Sequence, residues 1–350
     1  MSKPRAVVIG YGFAGKSFHS YLISLVPGMI LHGIASRDAA TRARIATERG
    51  CKAYESFEQV IEDPEVDLVV LATPNNTHAE LSIRAMRAGK HVVTDKVMAL
   101  DLEECDRMIA TAQAESKLLS VFQNRRWDGD YLTLRQTMAD GALGDVRWLE
   151  MAWDRFGAPT GWRGEAAMGG GRFYDLGAHL ADQLAMLFPQ AIQSVYCRMN
   201  YDFPDADVES EAMFMVGFED GRTGVCDLSS LSAISKPRFY ARGTKATFIK
   251  YGLDPQEDAM KAGNIDAARE DPRNYARIND NREEKIVPTL PGRWRNYYEN
   301  IADVLTNGAD LWVKPEEVRR GIAILDAAMR SSKSGQVVEL DVPALKESRI

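Results

Sequence analysis

The chain has 350 residues, 45% of them hydrophobic and 27% charged, with a formal net charge of −7. That length suits two domains, and the apolar share is ordinary for a globular protein with a core in each. The acidic balance excludes a nucleic-acid or anionic-membrane surface as the main partner, though not a local basic pocket for phosphate.

The first run, Val7-Val8-Ile9, reads as a buried strand that stops at Gly10 and continues through Gly12 and Gly15 into a helix predicted over 13–26. Gly10 permits the tight strand-to-helix turn, Gly12 lets a pyrophosphate approach the backbone, and Gly15 lets helix and strand pack closely. Phe13 and Ala14 complete this G-x-G-x-x-G, and free N–H groups at the helix start meet phosphate charge. Further strands are predicted over 29–36, 53–57, 66–73, 91–94 and 118–123. The helices between them start at Asp38, at a Thr77/Glu80 capping box and at Asp101 with Glu104. The alternation predicts an α/β fold whose residues 1–123 form a doubly wound parallel sheet of Rossmann type. Ligands of such sheets lie at the carboxyl ends of the strands, so Gly10, Ser36, Thr73, Pro74, Asn75, His78, Asp95 and Lys96 are candidate cofactor contacts.

The end of the second strand selects the cofactor. NAD readers place a carboxylate there for the ribose hydroxyls. This chain has Ser36-Arg37, which can donate to a 2′-phosphate and pair with it, so NADP(H) is preferred and NAD(H) remains possible through Asp38. Lys96 ends a buried strand on the ligand edge, where a lysine kept from water can shuttle protons; the plain alternative is a solvent-facing strand end.

From residue 124 to 350 the rhythm changes to longer strands (146–155, 194–201, 211–218, 222–228, 239–243, 247–251) with few helices (130–140, 173–188, 294–307, 315–332). This predicts an α+β domain with an open, largely antiparallel sheet, one face covered by helices and the other suited to homodimer or homotetramer formation. Residues 254–284, charge-rich with little strand signal, read as a mobile excursion near a substrate mouth or an interface. In 169–182, three glycines lead into a helix on which Asp175 and His179 are i,i+4 neighbours, with Asp182 one turn further. A histidine carries protons near neutral pH and a carboxylate one turn away can orient it; a buried, hydrogen-bonded histidine is the competing reading. Leu176, Leu180, Leu184 and Leu187 form the core stripe.

No cationic leader precedes the first strand, no long uncharged apolar span occurs, and the cysteines (Cys51, Cys105, Cys197, Cys226) form no C-x-x-C. These features lead us to expect a cytoplasmic protein without membrane or nucleic-acid partners. The five scattered histidines show no metal-site spacing.

Taken in order, GYGFAG, ATPNNTHAEL, GKHVVTDKVMA, QNRRWDGD and GGGRFYDLGAHLADQ resemble the Gfo/Idh/MocA oxidoreductase family over almost the whole chain, most closely its NADP-using sugar and inositol dehydrogenases. The resemblance implies catalytic roles for Lys96, Asp175 and His179. It also implies a sugar pocket lined by Asn124, Arg125, Trp162, Arg163 and Tyr298. The substrate would be a small sugar or cyclitol. Where the family usually carries Glu-Lys-Pro, this chain has Asp95-Lys96-Val97, and without proline a trans bond before Val97 is expected. Two other activities within the family remain open: glycoside cleavage through transient oxidation by a held NAD, and non-catalytic nucleotide sensing.

Overall fold

A computed structural model describes residues 3–345, which form two compact units: one contains residues 3–124 and Trp294–Arg319, the other Arg125–Arg293 and residues 320–345. The sequence divides the chain at 123/124; the structure adds the segment Trp294–Arg319 to the first unit. The reason is the apolar stripe Trp294, Tyr297, Tyr298 and Ile301, all but fully buried, which gives the helix Arg295–Asn307 one face to bury.

The sheet of the first unit has six parallel strands in the order β3-β2-β1-β4-β5-β6, from β1 (Arg5–Ile9), β2 (Ile30–Ala35), β3 (Lys52–Tyr54), β4 (Leu68–Leu71), β5 (His91–Thr94) and β6 (Leu119–Val121). The order reverses between β1 and β4, the switch point at which such sheets take their ligands. Val7 and Val8 of β1 lie beside Val69 and Val70 of β4, and all four have no exposed surface. Burial of each valine contributes about 1.5–3 kcal/mol.

The helices are α1 (Ser20–Ser24), α2 (Ala39–Arg49), α3 (Phe57–Glu62), α4 (His78–Arg87), α5 (Leu102–Ala114) and, from the late segment, α9 (Arg295–Asn307). Asp38 caps α2 by accepting the Thr41 N–H, and Gly50 ends it in the left-handed region. Three expectations are corrected. The stretch 13–26 is not one α-helix but a π-helical turn, Ala14–His19, followed by α1. The strand expected over 53–57 ends at Tyr54, because Ser56 accepts the Gln59 N–H and starts α3. Thr77 does not cap α4 with its side chain: its hydroxyl donates to the Pro74 carbonyl and bonds Thr73 Oγ1.

The second unit is built on a nine-stranded sheet in the order β14-β13-β12-β11-β7-β10-β9-β8-β15. Its strands are β7 (Val146–Asp154), β8 (Ile192–Asn200), β9 (Glu211–Phe218), β10 (Thr223–Ser229), β11 (Phe239–Gly243), β12 (Thr247–Lys250), β13 (Ala276–Asn279), β14 (Glu284–Val287) and β15 (Val338–Val342). Every neighbouring pair is antiparallel except β7 with β10. Its helices are α6 (Gly129–Ala139), α7 (Ala178–Leu187), α8 (Gln256–Lys261) and the later part of α10 (Pro315–Ser334). The excursion expected at 254–284 is anchored and not free. It carries α8 and β13, leads into the edge strand β14, buries Met260 and Ile265, and ties down at Asp254, which accepts the Gly129 N–H at 2.6 Å.

Candidate functional site

In the first unit, the three glycines of the β1 turn have three separate reasons. Gly10 sits at φ +99°, and a Cβ there would lie 2.6 Å from the Ala72 carbonyl oxygen. A Cβ on Gly15 would overlap the Gly10 carbonyl. A Cβ on Gly12, which is exposed, would meet nothing within 4 Å. Only Gly12 therefore keeps open a space that the fold does not use, beside the π-helical turn that Phe13 and Ala14 begin. This is the cradle a dinucleotide pyrophosphate requires, and the residues present fit that group.

At the end of β2, Ser36 is half-buried and Arg37 exposed. Asp38 is committed as the α2 cap, with its carboxyl held below the usual range by the Thr41 side-chain and backbone hydrogen bonds. Sequence reasoning missed Arg42, one turn into α2, whose guanidinium donates to the Ser36 and Arg37 carbonyls at 3.0 and 2.9 Å and fixes the loop that would read a 2′-phosphate.

The loop after β5 holds Lys96. The Lys96–Val97 peptide bond is cis, which corrects the expected trans bond; Val97 is wholly buried and its carbonyl meets His78 Nδ1 at 2.7 Å. His78 Nε2 meets the Thr73 carbonyl at 3.0 Å, so this buried ring ties the β4 and β5 loops together. Burial pushes the His78 pKa down. Asp95 accepts the Lys96 backbone N–H at 2.8 Å and lies 3.5 Å from His19 Nε2. Burial raises the Asp95 pKa, but the nearby His19, Lys96 and His78 outweigh it and hold the carboxyl below its ordinary value. Tyr298, expected in the sugar pocket, has no exposed surface and bonds His19 Nδ1 at 2.6 Å. Asn75 and Asn124 are also buried, and Thr73 and Pro74 are half-buried at the end of β4.

In the second unit, Asp175 lies on a π-helical turn, Phe173–Gly177, that runs into α7, with His179 at the second position of that helix. Arg163 Nε donates to Asp175 Oδ1 at 3.3 Å, Arg163 stacks over Trp162 at 4.5 Å, and Arg172 lies 3.9 Å from Asp175 Oδ2. His179 is nearly buried and stacks on Trp153, with centroids 5.9 Å apart. Asp182 is taken by Arg126, which donates to both its oxygens at 2.8 and 2.7 Å, so this carboxylate serves a buried pair. Glu209, missed by sequence reasoning, accepts the Phe173 N–H at 2.6 Å and so caps the turn from a distant strand end; burial pushes its pKa up.

Arg125 is buried over the Trp153 ring and pairs with Asp128 at 3.3 Å and Glu257 at 2.7 Å. Arg238, a second missed residue, crosses the Trp153 ring at 5.1 Å and donates to Gln183 at 2.6 Å. Arg125, Trp153, Asp154, Lys236, Arg238 and Glu257 line a cleft of about 450 Å³ in this unit. Such a wall of donors and acceptors around one aromatic face suits a polyhydroxylated ligand.

Two family models match the chain: an oxidoreductase family with an NAD-binding Rossmann fold over residues 4–123, and the GFO/IDH/MocA C-terminal domain over 131–249. Among curated relatives, the chain is similar to the uncharacterized oxidoreductase YdgJ of Escherichia coli (33% identical, covering 94% of this chain and 96% of the relative). It is also similar to the scyllo-inositol 2-dehydrogenase (NADP(+)) IolW of Bacillus subtilis (30% identical, 95% of each). A crystal structure of a Klebsiella pneumoniae protein is 36% identical with a TM-score of 0.87, covering 98% of this chain and 96% of that one.

Proposed function

The chain belongs to the Gfo/Idh/MocA family of NAD(P)-binding oxidoreductases, and we propose that it reversibly oxidises a secondary hydroxyl of a cyclitol or sugar with NADP(H) as the preferred cofactor. The observation that carries the reading is Lys96, half-buried at the carboxyl edge of the dinucleotide sheet on a loop clamped by Asp95 and His78. The NADP-dependent inositol dehydrogenase of Bacillus subtilis, similar over nearly the full length, supports both the substrate class and the cofactor. So do Ser36, Arg37 and Arg42, because no uncommitted carboxylate stands where a ribose 2′-hydroxyl would be read.

The nicotinamide, when bound, supplies the two-electron acceptor. Gly12 leaves room for the pyrophosphate, Ser36 and Arg37 hold the 2′-phosphate, and Thr73, Pro74 and Asn75 line the same strand edge. Lys96 polarises the substrate oxygen and relays a proton; His179 accepts the hydroxyl proton at an imidazole nitrogen. Asp175, charged and flanked by Arg163 and Arg172, orients the substrate side of the second unit. Arg125, Trp162 and Arg163 contribute hydrogen bonds and apolar contact to the sugar ring. The outer face of the nine-stranded sheet, with Tyr240, Glu150, Val225 and Met215 side by side across four strands, is the homodimer or homotetramer surface. The four cysteines, all free thiols, suit a cytoplasmic setting.

General acid–base transfer contributes about 10²–10⁴-fold. Lys96→Ala and His179→Ala should each lose at least about 10²-fold in kcat while NADPH still binds, followed by nicotinamide fluorescence. Wild-type turnover in both variants would overturn the roles.

A further inference from the structure

Behind Lys96 the first unit carries a second set of polar groups that the reaction as described does not use. His19 ends the π-helical turn after β1, and Tyr298 belongs to α9; neither has any exposed surface. The His19 ring packs on Phe122 with centroids 4.5 Å apart. Its Nδ1 lies 2.6 Å from the Tyr298 hydroxyl and its Nε2 3.5 Å from Asp95 Oδ2. The other Asp95 oxygen accepts the backbone N–H of Lys96 at 2.8 Å. Three segments separated by 76 and 203 positions in sequence thus meet at the His19 ring, which links Tyr298 to the carboxylate immediately before the lysine.

The His19–Asp95 contact, at 3.5 Å, is an ion-pair approach and not a formed hydrogen bond, but the carboxylate still decides which ring nitrogen carries the proton. Asp95 is an acceptor only, since its pKa is held low, so the ring nitrogen facing it carries the proton. The other nitrogen is then an acceptor, and the Tyr298 hydroxyl must donate. Burial, joined by Tyr297 and Asp95, keeps the Tyr298 phenol protonated far above neutral pH, as a donor requires. The set ends inside the protein at Tyr298, so it has no exit for a proton.

We propose that His19 and Tyr298 are positioning residues for Lys96. The Asp95 carboxylate keeps the proton on His19 Nε2, Tyr298 donates to Nδ1 and so holds the ring in place, and Asp95 in turn holds the peptide from which the lysine side chain departs. The inference rests on the reading of Lys96 as a catalytic group. Besides His19 and Lys96, the charged or titratable groups facing Asp95 are His78 of α4 and Tyr298 of α9.

Two measurements test it, and only one needs a substrate. Nitrogen-15 histidine NMR, with the His19 signals assigned by their loss in His19→Gln, should show the neutral ring of the wild type as the Nε2–H tautomer. In Tyr298→Phe, which keeps the volume of the ring, the tautomer should stay and the Nδ1 resonance should lose the displacement caused by the tyrosine hydrogen bond. An Nδ1–H tautomer in the wild type, or an Nδ1 resonance unchanged in Tyr298→Phe, overturns the proposal whatever the enzyme turns over. In kinetics, His19→Gln and Tyr298→Phe should lose about 10- to 100-fold in kcat, the range for groups that orient a functional side chain. The NADPH dissociation constant should stay within about threefold and the pH profile of kcat should shift, since a group acting through Lys96 alters the chemical step and not cofactor binding. Unchanged kcat and pH profile in both variants, or equal losses in kcat and cofactor affinity, overturn it. Wild-type inactivity on every polyol tested counts against the functional reading alone, and the NMR result then decides the hydrogen-bonded set by itself.

Discussion

Two glycines three positions apart, Gly12 and Gly15, should respond in opposite ways to one methyl group. In Gly12→Ala the new Cβ meets no atom within 4 Å, and the residue is exposed, so the fold has nothing to move. Stability should change by no more than about 0.5 kcal/mol, a shift in Tm of about 2 °C or less. The methyl instead fills the space where a phosphate oxygen would approach a backbone N–H. Loss of one hydrogen bond to a charged group is worth about 1.5–3 kcal/mol, or about 10- to 150-fold in Kd. In Gly15→Ala the Cβ overlaps the Gly10 carbonyl, with the carbonyl carbon 2.9 Å away, and both partners are backbone. Overpacking of this kind costs about 1–3 kcal/mol or more, and Tm should fall by several degrees. Thermal unfolding followed by circular dichroism and an NADPH fluorescence titration measure the two effects separately. Wild-type cofactor affinity in Gly12→Ala, or a melting point lowered as far as that of Gly15→Ala, would refute the reasoning.

Other perturbations follow from the same geometry. Ser36→Asp places a carboxylate beside the 2′-phosphate position, and the ratio of kcat/KM for NADP+ over NAD+ should fall by at least tenfold; an unchanged ratio would remove Ser36 from the cofactor site. Arg126→Ala leaves Asp182 buried without its bidentate partner, which should cost about 3–5 kcal/mol, read as a lowered urea midpoint. His78 has a folded-state pKa below its unfolded value of about 6.5, because burial disfavours the charged ring. The unfolded chain then binds more protons below that value, so stability is full above about pH 7 and declines as the pH falls through 6.5. Urea midpoints at pH 7.5 and 5.5 should differ in the wild type and differ less in His78→Gln.

The parallel sheet was legible because its signals are local. Near-continuous apolar runs gave β4 and β5, and Asp38 and Gly50 marked both ends of α2. The break at Ser56 was also written in the chain, since Ser56 and Gln59 have capping-box spacing, but the β-prone Phe57 masked it. Strands β13 and β14 were hidden because they sit at a sheet edge and are largely exposed, so charged residues interrupt any alternation. At the candidate site, the sequence names residues but does not show their partners. Tyr298 belongs to a helical apolar stripe that the sequence displays, yet its partner His19 lies 279 positions away. Likewise, nothing within a few residues of Asp182 signals Arg126, 56 positions earlier. Arg42 could have been found, because a basic residue one turn after the Ser36-Arg37 loop is a local feature.

The central claim is most directly tested by initial rates of the wild-type protein with a panel of inositols and aldoses, each with NADP+ and with NAD+, following absorbance of the reduced nicotinamide. The account predicts stoichiometric reduction of NADP+ by at least one cyclitol or sugar, with higher kcat/KM for NADP+ than for NAD+. Release of a free aglycone from glycosides without net cofactor reduction, or no reduction with any polyol in either direction, would contradict it.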